Sequence, residues 1–136
     1  MAYYFGIIDG QDGVYGVRVP DLPGAYGAGD TQEEAVHSAI AAMTEWAKIS
    51  QEDSAPIPAP RSISDLMRDK DVADTIAEGE AFVALPLLIE EKRSVRANIS
   101  LDAGTLAAID AAAKRAGLTR SAFLASAARD KILSSV

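Results

Sequence analysis

Arg96, Asn98 and Ser100 stand at alternate positions in the stretch Ser94-Val95-Arg96-Ala97-Asn98-Ile99-Ser100-Leu101, and the residues between them, Val95, Ala97, Ile99 and Leu101, are apolar. Strand side chains alternate between two faces, so an extended backbone here would carry a dry face and a face of arginine, asparagine and serine. Those three side chains can hydrogen-bond base edges: arginine suits guanine, asparagine suits adenine, and serine suits either. An ordinary polar sheet face draws on the same residue types. The reading surface is favoured because the flanking helix signals and the local charge point the same way.

Two helices must position this stretch. Asp102 is an N-cap residue for a helix from about Ala103 to Ala116, with Leu106, Ile109 and Ala113 on one face and Lys114 and Arg115 at the cation-favouring end. Gly117 supplies a left-handed C′ position, Leu118 is expected to re-enter the core, and Thr119 caps a second helix from Arg120 to about Leu133. Phe123, Leu124, Ala127 and Ala128 are its expected buried stripe. One strand and two helices bury too little apolar surface to fold alone, and a lone strand leaves an open edge. Both problems vanish if two chains pair residues 95–101 antiparallel and interlock their helices. The product is a two-stranded ribbon of the width of the DNA major groove.

The charge pattern agrees. Residues 1–91 hold 17 acidic and 5 basic residues, a balance of −12, whereas residues 92–136 hold 3 acidic and 8 basic residues, a balance of +5. A basic tail on an acidic body suggests a polyanion-binding segment joined to a part with another task. The run from Val95 to Ile132, above all Asn98-Ile99-Ser100-Leu101 and Gly117-Leu118-Thr119-Arg120-Ser121, resembles a ribbon-helix-helix DNA-binding domain of the kind found in bacterial repressors. The resemblance implies that Arg96, Asn98 and Ser100 read bases. It also implies that Thr119, Arg120 and Ser121 bring the amide end of the second helix to a phosphate, a role compatible with plain capping.

The first 91 residues suffice for one compact domain. Tyr3 to Ile8 reads as a strand, Asp9-Gly10-Gln11-Asp12-Gly13 as a turn and Val14 to Val19 as a second strand. After the loop Pro20-Asp21-Leu22-Pro23-Gly24 comes a short, glycine-weakened third strand at Ala25 to Ala28. Asp30, with Glu33 three residues on, resembles a capping box opening a helix whose stripe is Ala35, Val36, Ala39, Ile40, Met43 and Ala47, with Lys48 near its end. The proline-rich segment 54–60 reads as an extended connector. Ser62 caps a short helix with Ile63, Leu66 and Met67 apolar, more helix or turn runs through Ile76 to Gly79, and Ala81 to Ile89 is a last strand with Pro86 marking an edge or bulge. The expected class is α+β, an antiparallel sheet with helices on one face.

The ordered string from Pro20 to Ala35, with the preceding hairpin, the Pro-Asp-Leu-Pro-Gly turn, Gly-Asp-Thr at the helix start and Glu-Glu-Ala opening the helix, is similar to the N-terminal part of HicB-type antitoxins. With the tail included, the whole chain resembles a HicB antitoxin carrying a ribbon-helix-helix domain. This implies a partial ribonuclease-H-like body in residues 1–91 that binds and neutralises a HicA-type mRNA-cleaving toxin. It also implies a DNA-binding and dimerising tail in residues 92–136 that represses the shared operon. No motif assigns the toxin contacts to particular residues of the body. An RNA-binding toxin is expected to be basic, and a −12 domain would attract it. The alternative is a ligand-responsive repressor without a toxin partner, although no aromatic cage or convergent charge cluster supports it.

Catalysis is not expected. Asp9, Asp12, Asp21 and Asp30 are hard-cation ligand types. Each has a local reason to be where it is: turns for Asp9 and Asp12, a proline-flanked loop for Asp21 and a helix start for Asp30. His37 is the only histidine and cysteine is absent, which excludes a cysteine nucleophile and any Cys/His zinc site. His37 sits beside the apolar stripe as a surface or boundary residue; Met43 and Trp46 read as helix core or rim. Gly24, Gly27 and Gly29 lack phosphate-loop spacing. No metal or cofactor is therefore expected. Met1-Ala2-Tyr3-Tyr4-Phe5 lacks a basic start, and the longest apolar run, Ala81 to Ile89, is too short to span a bilayer, so a cytoplasmic protein is expected. At least a homodimer is expected through residues 95–101 and the C-terminal helices, with tetramers open if the bodies also pair.

Overall fold

A computed structural model describes residues 1–135. The chain divides into two compact units, Met1–Ile89 and Glu90–Val136.

In the first unit, strands β1 (Ala2–Gln11), β2 (Val14–Arg18), β3 (Tyr26–Gly29) and β4 (Ala81–Leu87) form one antiparallel sheet in the order β3-β2-β1-β4. The β1–β2 turn places Asp12 at φ 52° and Gly13 at φ 83°, the left-handed geometry that the Asp-Gly pair suits. Pro86 lies on the edge strand β4 opposite Tyr3, where its missing N–H can face away from the ladder.

The class is α+β as expected, but the helices lie on both faces rather than one. Gly27, Val17, Gly6 and Leu85 share the face against which α1 (Gln32–Glu52) packs; a Cβ on Gly27 would come within 2.2 Å of the Ala39 amide nitrogen. Ile7 points the other way, into a cluster with Leu66 of α2 (Ile63–Leu66) and Val72 of α3 (Lys70–Ala77), flanked by Phe5, Ile76 and Phe82. A sheet covered on both sides needs a central strand apolar on both sides. The near-continuous run Tyr4-Phe5-Gly6-Ile7-Ile8 supplies it, with Tyr4 and Ile7 both buried.

The cap of α1 also differs by one residue from expectation. Thr31, not Asp30, is the N-cap, and its hydroxyl accepts from the Glu34 amide at 3.1 Å. Glu34, not Glu33, closes the box by accepting from the Asp30 amide at 2.8 Å. The buried stripe is Ala35, Ala39, Ile40, Met43 and Ala47 with Ser50; Val36 is only partly covered, and the helix runs on to Glu52, leaving Lys48 short of its last turn.

The second unit holds α4 (Ala103–Arg115) and α5 (Arg120–Ser134). Both caps are as expected: Asp102 accepts from the Thr105 amide and Thr119 from the Ala122 amide. Gly117, at φ 70°, ends α4 in a double-bonded cap, with Gly117 N–H donating to Lys114 O and Leu118 N–H to Ala113 O.

Candidate nucleic-acid interface

Residues 94–102 carry no regular secondary structure in the single chain, so the expected strand has no hydrogen-bonded partner within one protomer. A strand is defined by its ladder, and no ladder forms on this segment within the described residues. Every residue from Glu90 to Thr105 is exposed. That includes the expected reading residues Arg96, Asn98 and Ser100, and also the apolar set: Val95 is 77% exposed and Ile99 64%.

The helices are left equally open. Ala113 is the one buried residue described in this unit. Leu106, Ile109, Phe123 and Leu124 are partly covered, and Ala127 and Ala128 are exposed. Leu118, expected to re-enter the core, is 42% exposed. The reason is arithmetical: two helices in contact along one line cannot enclose a side chain on every side, so the interior implied by the stripe is only half built.

What the fold does bring together is Asn98 and the start of α5. An open groove of about 350 Å³ has Ile99, Leu101, Leu106 and Leu124 as apolar walls and Asn98, Arg120 and Ser121 as polar ones. At that helix start the first intrahelical bond is Phe123 N–H to Thr119 O, so the amides of Arg120 and Ser121 have no acceptor within the helix. The side chain of Arg120 is engaged. Its Nε and Nη2 donate to the two carboxylate oxygens of Asp110 on α4, each at 2.8 Å. Hydrogen bonding to Arg120 holds the Asp110 carboxyl below the usual aspartate range, and Asp110 raises the arginine in turn. Asp110 leaves no signal in the sequence, because a pair spanning a helix, a turn and a cap has no periodicity to reveal it.

The acidic residues weighed as metal ligands are not gathered. Among the described residues no group of three histidine, aspartate or glutamate side chains is placed to hold a metal ion. Asp21 is buried and accepts from the Arg61 backbone amide at 2.9 Å and from Arg61 Nε at 2.5 Å, while Arg61 Nη1 reaches Asp69 at 2.9 Å. Its hydrogen bond to Asp21, then that to Asp69, raises the Arg61 pKa. Nearby, the buried Tyr4 hydroxyl donates to Pro58 O at 2.6 Å; burial first, then the charge of Asp21, pushes its pKa up. Asp21 is thus a fastener for the proline-rich connector. His37 is exposed, Met43 is buried, and Trp46 donates from its ring nitrogen to Pro23 O. Among the described residues no helix is long and apolar enough to cross a membrane.

Comparison with known proteins agrees with this architecture. Residues 3–128 match the family described as the HicB-like antitoxin of bacterial toxin-antitoxin systems. The Burkholderia pseudomallei antitoxin HicB is similar over 97% of this chain and 97% of its own, at 26% identity and a TM-score of 0.53. Antitoxin HicB3 is similar over 96% and 98%, at 25% identity and a TM-score of 0.55. A chain from the HicA3 and HicB3 toxin-antitoxin complex is similar over 62% of this chain and 96% of its own, at 19% identity and a TM-score of 0.50, a likeness of fold. No curated protein matches the sequence. Matched along nearly its whole length, the chain belongs to the HicB-like antitoxin family of bacterial toxin-antitoxin systems.

Proposed function

We propose that this protein is an antitoxin that neutralises a HicA-type mRNA-cleaving toxin through residues 1–91 and represses its own operon through a ribbon-helix-helix dimer formed by residues 92–136. The observation that carries the second half is the unfinished state of the second unit. Its apolar residues line an open groove and two half-covered helices, and its alternating segment has an unpaired backbone. A second copy meets all three needs at once. Pairing residues 95–101 antiparallel satisfies the ladder, turns Val95, Ala97, Ile99 and Leu101 onto the helices and leaves two copies of Arg96, Asn98 and Ser100 on the outer face. The free first-turn amides of α5 at Thr119, Arg120 and Ser121 then suit backbone phosphates.

The first half is supported by family membership, by the HicA3 and HicB3 complex and by charge. The body acts by binding, and its acidic balance would speed encounter with a basic toxin in a salt-dependent manner. Arg96→Ala or Asn98→Ala should weaken operator binding by about 1–3 kcal/mol and leave toxin neutralisation intact. Gel retardation with the chain's own upstream DNA and a toxin rescue assay check the two arms. Loss of neutralisation by either substitution would refute the division of labour. A body that answers to a metabolite and to no basic protein would turn the reading to a ligand-responsive repressor.

A further inference from the structure

Arg120, whose backbone amide is among the expected phosphate contacts, has a side chain that is already occupied. Arg120 borders the same groove as Asn98 and Ser121, yet its Nε and Nη2 are forked by Asp110 at 2.8 Å on both arms. A side-on carboxylate of this kind takes two of the five guanidinium N–H groups and cancels the charge. Asp110 is 46% and Arg120 54% exposed at the side chain in the single chain, so the pair lies at the surface beside the start of α5, whose free amides are the proposed phosphate contacts. We propose that Asp110 is a specificity-determining residue: by holding Arg120 side-on it withholds that cation from the DNA backbone, so that binding depends more on base contacts from Arg96, Asn98 and Ser100 and less on sequence-blind phosphate attraction.

The inference rests on the DNA-binding reading of residues 92–136 and sharpens it. Each phosphate neutralised by a cation adds about 0.9 to the slope of log K against log salt, whatever the sequence. A repressor must find one site among a great excess of others, so a cation at the groove rim that binds every phosphate equally lowers the ratio that matters. Tying that cation to a carboxylate of the same chain keeps it out of the non-specific term. The fork also joins α4 to α5 across the Gly117 turn, so one pair serves the hairpin and the selectivity together.

The test uses the full chain and two duplexes, its own upstream DNA and a random sequence of equal length, with affinities measured by fluorescence anisotropy over a salt series. Asp110→Asn should tighten random-duplex binding roughly threefold or more and steepen its salt slope by about 0.9 per protomer. The ratio of specific to random affinity should fall. Asp130→Asn removes one negative charge elsewhere in the tail and measures the general effect of charge. Adding Arg120→Ala to Asp110→Asn should erase the gain beyond that general effect. Asp110→Ala, which also removes the carboxylate, should steepen the slope as Asp110→Asn does, and it provides the same reading if Asp110→Asn does not fold. A slope for Asp110→Asn no steeper than for Asp130→Asn, a gain that survives Arg120→Ala, or an unchanged slope for Asp110→Ala would each overturn the proposal. If the native chain binds neither duplex at low salt, the DNA-binding reading fails, a result distinct from all of these.

Discussion

Asp21 and Glu80 are two carboxylates placed by the fold in different surroundings. Asp21 is buried but answered by Arg61 from both backbone and side chain, forty positions away along the chain. In the sequence it looks like a turn residue between prolines, and nothing local betrays a partner so distant. Glu80 lies where α3 gives way to β4; burial first, then the charge of Asp9, raises its pKa above the ordinary glutamate range. A carboxyl whose pKa is raised by folding destabilises the fold when ionised, and that penalty disappears as pH falls through the folded value. Glu80→Gln should therefore raise the melting temperature at pH 7, and the gain should vanish in melts below about pH 4, beneath the ordinary glutamate value. A gain that persists unchanged at low pH would assign it to something other than ionisation.

Helix caps were legible because they are local: Asp102, Ser62 and Thr119 each serve the amide three residues on, as their types and positions indicate. The cap of α1 was misplaced by one position because Asp30-Thr31 offers two good cap residues and Glu33-Glu34 two box partners. Only the backbone path chooses between such equals. The glycines of β3 do more than their residue type suggests. They look like a weakness in the strand, but they let α1 lie against the sheet: a Cβ on Gly27 would meet Ala39 N at 2.2 Å and Ala35 O at 2.4 Å. Gly27→Ala should cost about 1–3 kcal/mol, toward the upper end because backbone rather than a pliable side chain stands in the way. Urea denaturation checks this, and a stability within error of the native chain would mean that α1 can be displaced at little cost.

Across the whole chain, the boundary between Ile89 and Glu90 falls close to the change in charge, so the proposed division of tasks would follow two compact units. Deleting residues 92–136 should leave an acidic domain that still captures a HicA-type toxin in a pull-down but no longer retards upstream DNA. Promoter retardation by the truncated chain would move the reading surface into the body. Patterns confined to a few neighbouring residues, such as strand alternation, caps, turns and net charge, were legible from the amino-acid order, because the forces behind them act between near neighbours. The second helical layer on the sheet, the seating of the connector by Tyr4 and Asp21, and the Asp110–Arg120 fork emerged only in three dimensions. Each depends on contacts between residues ten to more than fifty positions apart, and the direction in which the chain turns decides those contacts where local preference is silent.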